Sequence, residues 1–270
     1  MTASPLRGGR RAIPWEATDA ASLDEPSRAI IAASWSARAQ QEHLAVGAFA
    51  LLTYEVAQHG GSGEVLELLA RAPSDEHRHA KLCSRFAGLY RDPDGRDGHD
   101  VGAPDARTGV PNVPKHRTAS GRERTLLHVV EMCCLHETFT GIGLTELLER
   151  TESTVARAMI ESLLEDEIDH GRVGWAHAST ACAEGWGRRV IADALPAILS
   201  RTVGPVVAAA GRGPRRDAAL DAHGFVDGDD AARVYRDGLR DVVFPGFELL
   251  GVDVEPAKAH ARSEGLVAAR

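Results

Sequence analysis

The chain has 270 residues, of which 43% are hydrophobic and 26% charged, with a formal net charge of −8. Those fractions are ordinary for a globular protein, and the length suffices to bury a substantial core. No basic stripe interleaved with aromatics is present, which excludes nucleic acid as a partner, and no uninterrupted apolar run reaches the ~18–20 residues of a membrane span.

Aromatic residues make up only 5% of the chain, while Ala, Leu, Glu and Arg are abundant, so helices are favoured over sheets. The opening MTASPLRGGRRAIPWEA has arginines but no apolar segment. It therefore reads as a partly disordered leader over residues 1–23 and not as a secretory signal. Cys83, Cys133, Cys134 and Cys182 lack zinc or disulfide spacing and are expected to be buried free thiols of a cytoplasmic protein.

In chain order, a first helix is expected from Pro26 to His59, ending at Gly60-Gly61-Ser62-Gly63. A second follows from Gly63 to Tyr90. The Pro/Gly/Asp-rich stretch from Arg91 to Gly121 carries no apolar periodicity. A third helix is expected over Arg122–Arg150, and a fourth over Ser153–Ala183 with Ser153 as its N-cap. These four would form one bundle over residues 24–184, with residues 185–270 as a helical extension packed on it. Within the extension, a helix to Ala210 is expected, then a loop and one or two further helices, kinked or broken at Pro196, Pro205 and Pro245. The 31 residues between the second and third helices suit a crossover along the bundle. A helix of that size is roughly 42 Å long, whereas the extended segment could reach about 100 Å.

One short pattern occurs twice. The second helix carries Asp75-Glu76-His77-Arg78-His79 and the fourth Asp166-Glu167-Ile168-Asp169-His170, both D-E-x-x-H. Residues at i and i+3 share a helix face, so each Glu and His can chelate one ion together. A single E-x-x-H is weak evidence in a Glu-rich chain; two copies on alternate helices are much stronger. A carboxylate from each remaining helix would complete a dinuclear site. In an antiparallel hairpin, residues at equal height are equidistant from the turn. Glu42 and Glu76 have their midpoint at position 59, beside Gly60-Gly61, and Glu137 and Glu167 have theirs at 152, within the turn Arg150–Ser153. Glu55 fails this test. Glu131 passes it, but its helical neighbours include Arg124 and His128. Glu137 instead sits on the stripe Val130, Cys133, Cys134, Gly141 and Leu144, where a carboxylate must be paired, protonated or metal-bound.

Together, Glu42-His43, Asp75-Glu76-x-x-His79-Ala80, Glu137-Thr138 and Asp166-Glu167-x-x-His170 with the following Trp175 resemble bacterial ferritin-like di-iron carboxylate proteins. The resemblance covers roughly residues 30–180. It implies an all-α, ferritin-like four-helix bundle with Glu42, Glu76, His79, Glu137, Glu167 and His170 holding two iron ions, or manganese. It further implies that Asp75 and Asp166 orient the two His rings. His177, two turns beyond His170, is an additional candidate ligand. His43, His77, His128 and His136 read as surface or supporting residues, and Trp35 and Trp175 as packing residues.

Three functions follow from the resemblance. One is an O2-dependent oxidase or oxygenase acting on a small organic substrate, served by an electron donor, with room for a homodimer. The second is iron oxidation and storage or peroxide scavenging, and the third a binding protein with a vestigial site. Gly141, Gly143 and Gly47 lie near the candidate ligands, where glycine either opens a substrate pocket or admits close helix packing.

Overall fold

A computed structural model describes residues 12–93, 114–117 and 120–267. Every regular element among them is helical. Helix α1 (Glu25–His59) starts at Asp24, whose carboxylate accepts from the Ser27 amide, and ends at Gly60 with φ +99°. Helix α2 (Gly63–Arg91) is capped by the Ser62 hydroxyl. The third rod starts with a capping box between Ser120 and Glu123 and runs through α3 (Gly121–Val129), a π-helical segment (Val130–Glu137) and α4 (Thr138–Arg150). Helix α5 spans Thr154–Ala183. Adjacency closes a ring: α1 packs on α2, α2 on α5, α5 on the π segment and α4, and α3 on α1. Ser153 occupies the N-cap position of α5 but does not cap it. Its hydroxyl donates instead to the Asp19 carboxylate at 2.7 Å, a charged acceptor that makes the stronger bond.

That contact belongs to a correction at the N-terminus. Residues 12–23 are not a loose leader: Trp15–Ala17 and Ala20–Ser22 form 3-10 turns, and Ala20 and Leu23 are buried. Arg85 lies 4.3 Å over the Trp15 ring. Residues 1–11, and most of the crossover, lie outside the described residues.

The extension holds more helices than the sequence suggests: α6 (Gly187–Thr202), α7 (Gly204–Ala208), α8 (Ala218–Ala222), α9 (Gly228–Gly238), a second π segment (Leu239–Val243), α10 (Phe244–Leu249) and α11 (Glu255–Ser263). Pro205 and Pro245 sit in first turns, where proline is tolerated, but Pro196 lies inside α6 without ending it. A mid-helix proline costs about 3 kcal/mol, and burial of Ile191, Leu195, Ile198 and Leu199 at ~1.5–3 kcal/mol each outweighs it. By length and composition alone Gly187–Ala208 is apolar enough to cross a membrane, although Asp193 and Arg201 interrupt its apolar stretch. Here its apolar side joins a core with Leu126, Leu135, Phe139, Ala178 and Phe247.

Two further cores divide the ring lengthwise. One gathers Phe49, Leu52, Val56, Leu69, Val129, Met132 and Val173. The other gathers Trp35, Phe86, Leu144, Met159 and Leu163. All four cysteines are buried free thiols. Close approach of α5 to the π segment depends on Gly174, where a Cβ would lie 2.6 Å from the Cys134 amide nitrogen. Backbone cannot yield there as a side chain would. Gly174→Ala is therefore expected to lower stability by about 1–3 kcal/mol in urea denaturation, while Gly171→Ala, whose Cβ would come no nearer than 3.7 Å to Thr138 Oγ1, stays within ~1 kcal/mol of the parent.

Candidate metal centre

On each of the four rods, a polar residue interrupts the apolar ones where the two cores meet. Glu42 falls between Ala39 and Phe49, Glu76 and His79 between Ala72 and Cys83, Glu137 between Cys133 and Leu144, and Glu167 and His170 between Leu163 and Val173. The ring of rods turns these side chains into one layer. Two overlapping groups result, Glu42, Glu76, His79 and Glu167, and Glu76, Glu137, Glu167 and His170. Within each, the donor atoms lie within 4.8 Å of one another, so each group could hold a metal ion. Glu76 and Glu167 belong to both.

The imidazoles face the layer through Nδ1. His79 Nδ1 is 3.6 Å from Glu42 Oε2 and 3.6 Å from Glu167 Oε1. His170 Nδ1 is 3.0 Å from Glu76 Oε1 and 3.3 Å from Glu167 Oε2. Phe49 packs on the His170 ring at 4.8 Å. The outward nitrogens meet the two aspartates crosswise. His79 Nε2 is 3.2 Å from Asp166 Oδ2 on α5, and His170 Nε2 is 3.9 Å from Asp75 Oδ2 on α2. The first is a hydrogen bond; the second is an ion-pair distance. Arg78 holds Asp166 in place while bonding the Ser162 carbonyl and hydroxyl.

The sequence reading missed one participant. Arg38, one turn before Glu42, sets its Nε 2.8 Å from Glu42 Oε1 and a terminal nitrogen 3.5 Å from Glu167 Oε1. The i,i+4 spacing of opposite charges was the available signal. Burial alone would raise the Glu42 pKa, but Arg38 and then His79 outweigh it and hold the carboxyl well below its usual range. Glu167 is likewise pushed up by burial and brought below its usual value mainly by His170. Burial disfavours charge on His79, yet Asp166 and Glu42 lift it to about 9, and His170 is raised by Asp75 and Glu167 against the same penalty.

Glu76 differs. It is 1% exposed, and beyond the His170 Nδ1 contact at 3.0 Å neither carboxylate oxygen has a hydrogen-bond partner. Burial first, and then Glu42 and Glu167, push its pKa to about 8 although His170 opposes them. A buried carboxylate in this state needs a proton or a cation. Burial and Glu167 also raise Glu137, which is half-buried. Glu137 ends the π segment, a distortion that inserts extra backbone per turn and re-aims side chains, often at functional sites. The donor set therefore fits a pair of hard divalent cations.

His177 is not brought to the layer. Seven residues beyond His170, it lies about 10 Å further along α5, where burial and then Arg122 lower its pKa while Glu184 opposes them. The rival carboxylates are engaged elsewhere. Glu55 is 2.6 Å from His128 Nδ1, and Glu131 pairs with Arg201 at 2.7 Å and His116 at 3.0 Å. His128, expected at the surface or in support of the site, is thus buried against Glu55 and also meets the Pro114 carbonyl at 2.7 Å.

No protein-family model matches this chain, and neither a curated protein nor a solved structure is detectably similar to it.

With a folded-state pKa near 8 against the ordinary 4.5, Glu76 binds its proton more tightly folded than unfolded. Its stabilising effect is complete below pH 4.5 and is lost as pH rises through 8. Metal-free Glu76→Gln should match the parent below pH 4.5. At pH 8 the variant should be more stable by on the order of 4 kcal/mol, read as urea midpoints across a pH series.

Proposed function

We propose that this chain is a ferritin-like, non-haem di-iron protein that uses O2 to oxidise a small organic substrate. The observation that carries the reading is the sharing of Glu76 and Glu167 between two four-residue donor groups. Two carboxylates common to adjacent groups are what bridging a metal pair requires, and one imidazole per group completes each set. Mostly carboxylate donors with a single imidazole suit Fe(II) or Mn(II). Such a pair, when bound, would supply the electrons that begin the reduction of O2.

The chain's own residues have separate tasks in this reading. Glu42 with His79, and Glu137 with His170, would each terminate one end of the pair. Asp166 accepts from the outward nitrogen of His79, and Asp75, 3.9 Å from that of His170, would hold the second ring by charge, so that each Nδ1 would be free to donate its lone pair inward. Arg38 offsets negative charge on the Glu42 side, and the flanking apolar cores exclude bulk water. An oxygenation would draw two electrons from the substrate and two from an external donor, consuming two protons and releasing water.

Metal analysis tests the first half of this reading. Protein loaded anaerobically with Fe(II) should retain about two irons per chain. Glu76→Ala and Glu167→Ala should each lose iron affinity at least ~10-fold, whereas His177→Ala should hold as much as the parent. An iron count unchanged by both glutamate variants would refute the centre. Oxygen uptake tests the second half: consumption stoichiometric with the bound irons and renewed only with an organic substrate and a reductant fits an oxidase or oxygenase. Continuous turnover of added Fe(II) with mineral growth would point to iron storage instead.

A further inference from the structure

Glu137 and Glu167 face away from the layer as well as into it. Both line a pocket of about 370 Å³, together with Gly141, Ile142, Leu164, Ile168 and Trp175. Ile168 is 53% exposed and opens this pocket to solvent. Its volume falls within the ~300–1,000 Å³ of small-molecule sites.

Two features argue that the space is built and not incidental. Gly141 lies inside α4, where glycine costs about 1 kcal/mol relative to Ala, yet a Cβ there would meet nothing within 4 Å. Close packing explains Gly174 and leaves Gly141 unexplained; open space beside Glu137 explains it. The Trp175 wall is clamped from the extension. Its indole nitrogen donates to Thr138 Oγ1 at 3.1 Å, and its ring lies 5.0 Å from Phe247. A Cβ on neighbouring Gly246 would strike the ring at 2.6 Å. Helix α10 thus presses Trp175 into position.

The polar groups around the space are already engaged. Thr138 Oγ1 accepts from Trp175 and donates to the Cys133 carbonyl, and the Thr145 hydroxyl donates to the Gly141 carbonyl. Glu146 is paired with Arg233 at 2.6 Å. Among the described residues, neither Lys nor Arg lines the pocket. With Glu137 and Glu167 serving metal, an entering charged group would find no partner and would forfeit its hydration.

We propose that this pocket admits an uncharged, largely hydrocarbon molecule, about the size of a substituted benzene ring, to the Glu137–Glu167 side of the centre. The proposal rests on the di-iron reading for what happens next and for the engagement of Glu137 and Glu167, whereas toluene binding is read independently of any reaction. Iron-loaded, full-length protein is titrated with toluene and with benzylammonium, and binding is followed by saturation-transfer NMR. Toluene should bind with a dissociation constant of roughly 1 mM or tighter. Gly141→Leu fills the open space, and Thr145→Trp covers it from an exposed position one turn away; each should weaken toluene at least about tenfold without changing the iron count. Leu is a better helix former than Gly, and Thr145 is exposed, so unchanged melting temperatures will verify folding. Absence of toluene binding in protein holding its iron, or equal binding by both variants, overturns the proposal. Benzylammonium binding more tightly than toluene also overturns it, since carboxylates would then be the recognition element. Toluene binding that persists in protein unable to hold iron supports the pocket and removes the metal reading alone.

Discussion

Four glutamates held between two apolar cores are the constraint around which the rest of the molecule is arranged. Each carboxylate loses hydration on burial, and those brought together within each donor group repel one another. Arg38 offsets part of this charge, as do His79 and His170 when protonated, yet beyond its His170 contact Glu76 has no hydrogen-bond partner. Such a layer weakens a fold unless it takes up protons or cations. At the junction of four rods this layer is a cost to stability that bound protons or cations would offset. The apolar residues on either side lower the local dielectric, sharpening both the repulsion and the gain from a bound cation.

Bringing that layer together requires helix contacts closer than side-chain packing alone would allow. Gly174 lets α5 approach the backbone of Cys133 and Cys134, within the π segment that ends at Glu137. The π distortion and the glycine contact lie on the same interface, so backbone irregularity and close approach act together to aim one carboxylate. On the opposite side, α1 and α2 are regular hairpin partners, and their Glu42, Glu76 and His79 need only the common distance from the Gly60 turn.

The extension contributes walls and not donors. Its largest core is shared with the third rod and α5, and α10 fixes the Trp175 ring beside the pocket that reaches Glu137 and Glu167. Tyr235 from α9 stacks on Phe139, two residues beyond Glu137, with ring centroids 4.3 Å apart. Chemistry proposed for the four rods is thus shaped by a segment that carries none of the donors. That division would allow the pocket to vary while the donor layer stays as it is.

By itself the sequence determined that the chain is helical, where the first four rods start and stop, and which residues within a rod share a face. Those are local matters: caps, glycine stops and the i,i+3 spacing of Glu and His act within a turn or two of chain. Equal distance from a hairpin turn extended the argument to Glu42 and Glu137, since a short loop ties sequence position to height. What only the tertiary structure decided depends on which helix faces which. The crosswise meeting of Asp166 with His79 and Asp75 with His170, the approach of Arg38 to Glu167, and the exclusion of His177 by its height along α5 are of this kind. The π segment, the docking of residues 12–23, and the course of α6 through Pro196 are too, because each is held by burial against distant parts of the chain. Local spacing sets the direction of a side chain, and long-range packing sets what that side chain meets.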